Sequence, residues 1–184
     1  MPVGLGAIRT LRSVTAARGW KLERSQRGYD RWGELDRTRA YTQGMTSTEP
    51  LTDHILRKAP KVLLHEHLDG CLRPATVLDL AAECGYEGLP EADPVRLGQW
   101  FFEGADRGSL PQYLEGFQHT IAVLQTANAL ERAAYELVED SAAESCVYLE
   151  VRFAPHFHTV GGLGLDAVMG AVIGGLKRGQ RDFG

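Results

Sequence analysis

The sequence predicts an α/β fold with parallel strands, and three observations carry that prediction. Two apolar, strand-like runs occur at residues 61–68 and 147–153. Four stretches with helical apolar spacing separate them, and a fifth follows the second run. This order is that of β-then-α units, not of an all-β sandwich or a helical bundle. Finally, polar residues (His65, His67 and Asp69) close the first apolar run. The C-terminal ends of buried parallel strands are where α/β sheets and barrels place their chemistry. Two strands do not make a parallel sheet covered on both faces, so residues 45–184 read as the N-terminal part of a larger domain.

Composition agrees with a globular protein: 43% of the 184 residues are apolar and 24% charged. No run approaches the roughly 18 apolar residues needed to span a bilayer, so no membrane role is expected. Charge is uneven. Residues 1–44 hold nine Lys and Arg against four Asp and Glu, whereas the remainder holds eleven against twenty. The acidic part gives no electrostatic reason to expect a nucleic-acid partner. Residues 1–44 show no sustained apolar period and are expected to be a non-domain extension. Either Met45 is the native start, the favoured reading, or the Arg-rich beginning is a targeting segment. The three cysteines, Cys71, Cys84 and Cys146, form no CxxC pair and no even framework, which fits a reduced, cytoplasmic setting.

Taken in order, residues 52–59 suggest a short helix or turn ended by Pro60. The run from Lys61 to Leu68 reads as a buried strand. Asp69-Gly70 breaks it, and Pro74 suits the first position of a helix. In that helix Val77, Leu80, Ala81 and Cys84 share one face, and Gly85 is a natural stop. Further helices are expected over Pro94–Gly104, which carries Trp100, Phe101 and Phe102, and over Leu110–Leu124. Another is expected over Asn128–Glu144, with Leu130, Ala133, Ala134, Leu137 and Val138 buried and Asn128 and Glu131 placed as a capping pair. Val147–Phe153 is the second strand. After a glycine-rich loop at Gly161–Gly164, a helix over Asp166–Arg178 presents Val168, Ala171, Val172 and Gly175.

The chemistry concentrates at the first strand. Residues two apart on a strand share a face, so His65 and His67 present two imidazoles side by side. Neutral imidazoles bind transition metals, and zinc suits such ligands. Glu66 has the opposite parity and is a poor general base for that face. Asp69 either accepts a hydrogen bond from a substrate hydroxyl or serves as a turn residue ahead of Pro74. His156 and His158 lie beyond Pro155 and read as loop histidines. The stripe Leu110, Tyr113, Leu114, Phe117 has helical spacing, which by itself means core packing. Cys71 reads as a small packed residue. No phosphate loop, dinucleotide fingerprint or nucleophile elbow is present.

The stretch His65-Glu66-His67-Leu68-Asp69-Gly70-Cys71-Leu72-Arg73-Pro74 closely resembles the signature of the adenosine deaminases. Ser109–Leu114, continuing to Phe117, resembles the family's lid helix. Val147–Pro155 resembles its second barrel strand and turn, and Gly175–Gly184 the helix end before its third strand. The resemblance covers residues 56–184. It implies a (β/α)₈ TIM barrel of the amidohydrolase type, represented here by about its first two βα units. It implies Zn²⁺ held by His65 and His67 with a later histidine and aspartate. It also implies Asp69 on the ribose, and an apolar purine pocket gated by Leu110, Tyr113, Leu114 and Phe117. The implied ligand is a small purine nucleoside, and the implied reaction is adenosine or 2′-deoxyadenosine to inosine and ammonia. The remaining ligands and the acid/base residues would then lie beyond residue 184. No catalytic residue is expected within the chain, which is expected to be incomplete and inactive. The other readings are a related 6-aminopurine deaminase and a non-catalytic fragment.

Overall fold

A computed structural model describes residues 52–106 and 108–184. The expectation for residues 1–44 lies outside the described residues. The element order is α1 (Asp53–Lys58), β1 (Lys61–His67), α2 (Pro74–Cys84), α3 (Pro94–Ala105) and α4 (Leu110–Val123). There follow α5 (Ala127–Ala143), β2 (Cys146–Arg152) and α6 (Leu165–Phe183). Single 3₁₀ turns occupy Leu68–Gly70 after β1 and Pro155–His158 after β2.

Local sequence explains most of the boundaries. Pro74 begins α2, and Gly85 ends it in the left-handed conformation (φ 69°), donating its N–H to the Ala81 carbonyl. Asp93 caps α3, one carboxylate oxygen accepting from the Val95 and Arg96 amides, both at 3.0 Å. At α5 the expected Asn128–Glu131 pair is not the cap. Thr126 takes that role, its hydroxyl accepting from the Ala129 amide at 3.2 Å.

The two strands pair in parallel, with Leu63 opposite Leu149 and His67 opposite Arg152, as the βα rhythm predicts. The apolar run of β1 is not buried on both sides, however. Val62 and Leu64 are 60% and 61% exposed, and Tyr148 on β2 is 54% exposed. The described residues supply no element to cover that face of a two-stranded sheet. The core sits instead among the helices and the turn after β1. Leu68, Leu72, Val77, Leu80, Leu97, Val123, Leu130, Leu137, Val168 and Val172 are all buried there.

Ion pairs fasten α2 to α5. Arg73, at the start of α2, grips Asp140 through Nε and Nη2 at 3.1 and 2.6 Å, and Glu139 through Nη2 at 2.7 Å. Thr76 donates to Glu136 at 2.6 Å, and Arg132 bridges Glu136 and Asp79, each at 2.8 Å. Helix α6 packs closely on α5 because Gly175 and Gly179 face it. A β-carbon at Gly175 would collide with the Glu131 carbonyl, and one at Gly179 would lie 2.7 Å from Val138 Cβ. No helix among the described residues is long and apolar enough to cross a membrane.

Candidate functional site

β1 brings His65 and His67 together, though not by simple alternation. The pairing with β2 shifts register between Leu63 and Glu66, and His65 sits at φ 66°. Such a conformation is rare for a residue with a β-carbon and locally re-aims the side chain. The two imidazole rings nevertheless lie 5.5 Å apart, centre to centre. From β2, the Arg152 guanidinium lies against the His65 ring, its Nη1 2.6 Å from Nδ1. Burial holds the pKa of His67 below its ordinary value, the positive charge of Arg152 and the His65 ring adding to the effect and Asp69 opposing it. A neutral His67 keeps a lone pair available for a metal.

The turn after β1 is where the site deepens. Leu68, Asp69 and Gly70 are all buried, so Asp69 is no surface turn residue. Its Oδ1 is sealed from solvent and has no hydrogen-bond partner. His67 Nδ1 stands 3.7 Å away, too far for a hydrogen bond, so that contact is electrostatic. Asp69 borders an open cavity walled mainly by α3 and α4. Trp100 and Phe101 come from α3, and Tyr113, Phe117 and Thr120 from α4. Burial, together with the charges of Asp69 and Glu66, pushes the Tyr113 pKa up to about 12, so its hydroxyl stays protonated at neutral pH. Tyr113 and Phe117, two of the four residues of the expected lid stripe, thus line this cavity. Leu110 and Leu114 do not line it. They are 62% and 47% exposed, on the solvent side of α4.

Two imidazoles are donors of the kind zinc takes, so His65 and His67 fit part of a zinc shell. They do not complete one: among the described residues no group of three or more His, Cys, Asp or Glu is placed to hold a metal. His156 is exposed and His158 is fully buried. The latter is not a loose loop histidine, because the 3₁₀ turn after Pro155 folds it inward, where Nδ1 meets the Leu124 carbonyl at 3.1 Å. Cys71 is packed as expected. Its thiol donates to the Leu68 carbonyl at 3.0 Å, and burial pushes its pKa up. Sequence reasoning missed Trp100, Phe101 and Thr120 as cavity residues and Arg152 as a partner of His65. The aromatic run at 100–102 was the available signal for the first two, but only the fold turns Trp100 and Phe101 inward and leaves Phe102 exposed.

Solved structures with this arrangement are amidohydrolases and deaminases. An adenine deaminase from Arthrobacter aurescens is 30% identical with a TM-score of 0.58, covering 68% of this chain and 37% of its own. A Burkhoderia ambifaria amidohydrolase with bound Zn is 25% identical with a TM-score of 0.60, covering 75% and 37%. An Arabidopsis N6-mAMP deaminase is 30% identical with a TM-score of 0.54, covering 67% and 36%. The likeness in fold thus places the chain in the class of amidohydrolases and deaminases. Within it, the family model described as adenosine deaminase matches residues 60–184. The adenosine deaminase of Mycobacteroides abscessus is 60% identical over 126 residues, 68% of this chain and 35% of that protein. The adenosine deaminase of Mycobacterium avium is 52% identical over 134 residues, 73% and 37%. The chain belongs to the adenosine deaminase family. It spans just over a third of the length of these relatives.

Proposed function

We propose that the chain carries the metal-proximal and purine-binding part of an adenosine deaminase, built on the first strands of a (β/α)₈ barrel. The observation that carries this reading is the aromatic cavity that Asp69 borders at the end of β1. Trp100, Phe101, Tyr113 and Phe117 offer flat apolar surfaces for a purine ring. Asp69, which borders the cavity, offers a carboxylate to accept from a ribose hydroxyl.

The lining favours an unphosphorylated nucleoside. No Lys or Arg stands among the described lining residues, and Asp69 is an anion. A 5′-phosphate there would meet like charge and find no bidentate cation. His65 and His67 would hold zinc, which when bound supplies a Lewis acid that makes water nucleophilic at neutral pH. His67 stays neutral through burial and so keeps the lone pair this requires. Arg152 must withdraw from the His65 nitrogen it faces before that nitrogen can bind a metal.

The test is ligand binding read by Trp100 fluorescence, with Trp100→Phe as the control for Trp20 and Trp32. Adenosine should quench the emission, and AMP should bind at least about tenfold more weakly, the scale of one unmatched charge contact. Asp69→Asn should weaken adenosine by about tenfold, the usual cost of losing a hydrogen bond to a charged group. Tighter binding of AMP than of adenosine would overturn the nucleoside reading.

A further inference from the structure

We infer that His158 is a positioning residue for the cavity: its Nδ1–H, donated to the Leu124 carbonyl, pins the C-terminal end of α4 to the turn after β2. It thereby sets where Tyr113, Phe117 and Thr120 stand. The importance of those three residues rests on the purine reading above, but the pin itself does not.

The argument begins at the end of α4. A helix leaves its last carbonyls without intrahelical donors, and a buried end must find donors elsewhere. Leu124, which closes α4, is fully buried. Its carbonyl lies 3.1 Å from Nδ1 of His158, whose ring is also fully buried. A carbonyl only accepts, so Nδ1 carries the hydrogen. The ring is held in turn by Phe153 at the end of β2, 5.8 Å away between centres.

A second residue runs alongside this contact. Gln125 donates to the Ile121 carbonyl within α4 at 2.7 Å and to the Phe157 carbonyl of the turn at 3.0 Å. Its side-chain Oε1 accepts from the Gly161 amide at 3.1 Å. Gly161 has no room for a side chain, since a β-carbon would lie 2.8 Å from the Gln125 carbonyl oxygen. The turn after β2 is therefore pressed against the end of α4 and bonded to it at three points. The Gln125 bonds lie at the exposed edge, and His158 makes the one bond that is sealed from water.

That burial makes the hydrogen on Nδ1 decisive. With Nδ1 donating, Nε2 holds a lone pair and is buried with no hydrogen-bond partner. Moving the hydrogen to Nε2 would orphan both that N–H and the Leu124 carbonyl. Three turns of α4 lie between Leu124 and Tyr113, so the helix acts as a rigid arm. Loss of the pin at one end displaces the aromatic wall near the other.

The experiment separates the hydrogen bond from simple packing. His158→Asn keeps an N–H close to the Nδ1 position but loses volume, whereas His158→Phe keeps volume and loses the donor. In the 184-residue chain, hydrogen exchange over residues 118–125 should rise about tenfold in His158→Phe. It should stay within about threefold in His158→Asn, the scale of one net hydrogen bond. Adenosine affinity, read by Trp100 fluorescence, should follow the same order. The reverse order in exchange, with Phe tolerated and Asn not, overturns the proposal. So does unchanged exchange in both variants. The unsubstituted chain gives a test that needs no variant to fold: a long-range ¹H–¹⁵N spectrum should show His158 with its lone pair on Nε2, and a lone pair on Nδ1 sinks the pin outright. Failure of adenosine to bind at all would count against the purine reading while leaving the exchange and tautomer results to decide the pin.

Discussion

Asp69 and His158 share a condition: each is buried, and each leaves one polar atom without a partner. Native proteins rarely tolerate that without a ligand, a water or a function to meet it. For His158 burial lowers the pKa, helped by His156. The Leu124 carbonyl and the charge of Asp69 act the other way. His119 on α4, bonded through Nδ1 to the Tyr86 hydroxyl at 2.9 Å, is likewise lowered by burial. Both should be neutral in the folded chain at neutral pH. The unfolded chain titrates near pH 6.5 and holds more protons between that value and the lower folded values. Acid therefore favours unfolding. The contribution of both groups is complete above about pH 6.5 and is lost as pH falls through the folded values. The urea midpoint should be flat from about pH 8 to 7 and fall as the pH drops below about 6.5. The fall should shrink in a His119→Gln, His158→Asn double variant. A midpoint that climbs on acidification would show that other groups dominate.

At the scale of elements, the sequence made the helices legible where apolar residues recur every three or four positions. Val77, Leu80 and Ala81 on α2, and Leu130, Ala133, Ala134 and Leu137 on α5, are buried as that spacing requires. Periodicity says that a face is apolar but not what covers it, so it could not separate Tyr113 and Phe117, which wall a cavity, from the exposed Leu110 and Leu114. Helix α6 shows the other limit. Its four internal glycines weaken any propensity argument, yet it continues to Phe183. Tertiary contacts with α5 explain the extra turns. Arg178 pairs with Glu131 at 2.7 Å, Tyr135 donates to Asp182 at 3.0 Å, and the Tyr135 and Phe183 rings lie 5.4 Å apart. Two of those glycines are themselves part of the contact. Gly175→Ala should destabilise the chain by about 1–3 kcal/mol, the cost of overpacking against an immovable backbone oxygen, despite alanine's better helix propensity. Gly170→Ala, where nothing lies near the added carbon, should stabilise it by up to about 1 kcal/mol. Denaturant midpoints of the two variants would check the contrast, and equal shifts would mean that α5 and α6 are not this close in solution.

For the whole molecule, the site is divided between what these residues provide and what they lack. The histidine pair, Asp69 and the Tyr113–Phe117 side of the cavity are legible in the sequence as a motif and its resemblance, whereas Trp100 and Phe101 are brought to the cavity only by the fold. The partners of the pair could not be read from spacing, because Arg152 reaches His65 across a parallel strand 87 residues further along the chain. Two imidazoles supply half of a tetrahedral shell, and no described cluster supplies the rest. Nor does the cavity lining include a candidate to protonate a leaving ammonia. Asp69 is engaged in the wall, and the hydroxyl of Tyr113, its pKa pushed up to about 12, is a weak acid. Loss of general acid/base help alone costs about 10²–10⁴ in rate. The 184-residue polypeptide should therefore bind adenosine in its cavity without turning it over, even with zinc added. Absorbance at the adenosine-to-inosine difference wavelength, followed with the purified chain and zinc, would decide this. Turnover of about one per second, abolished by His67→Ala, would overturn it and would mean that a second copy of the chain completes the site.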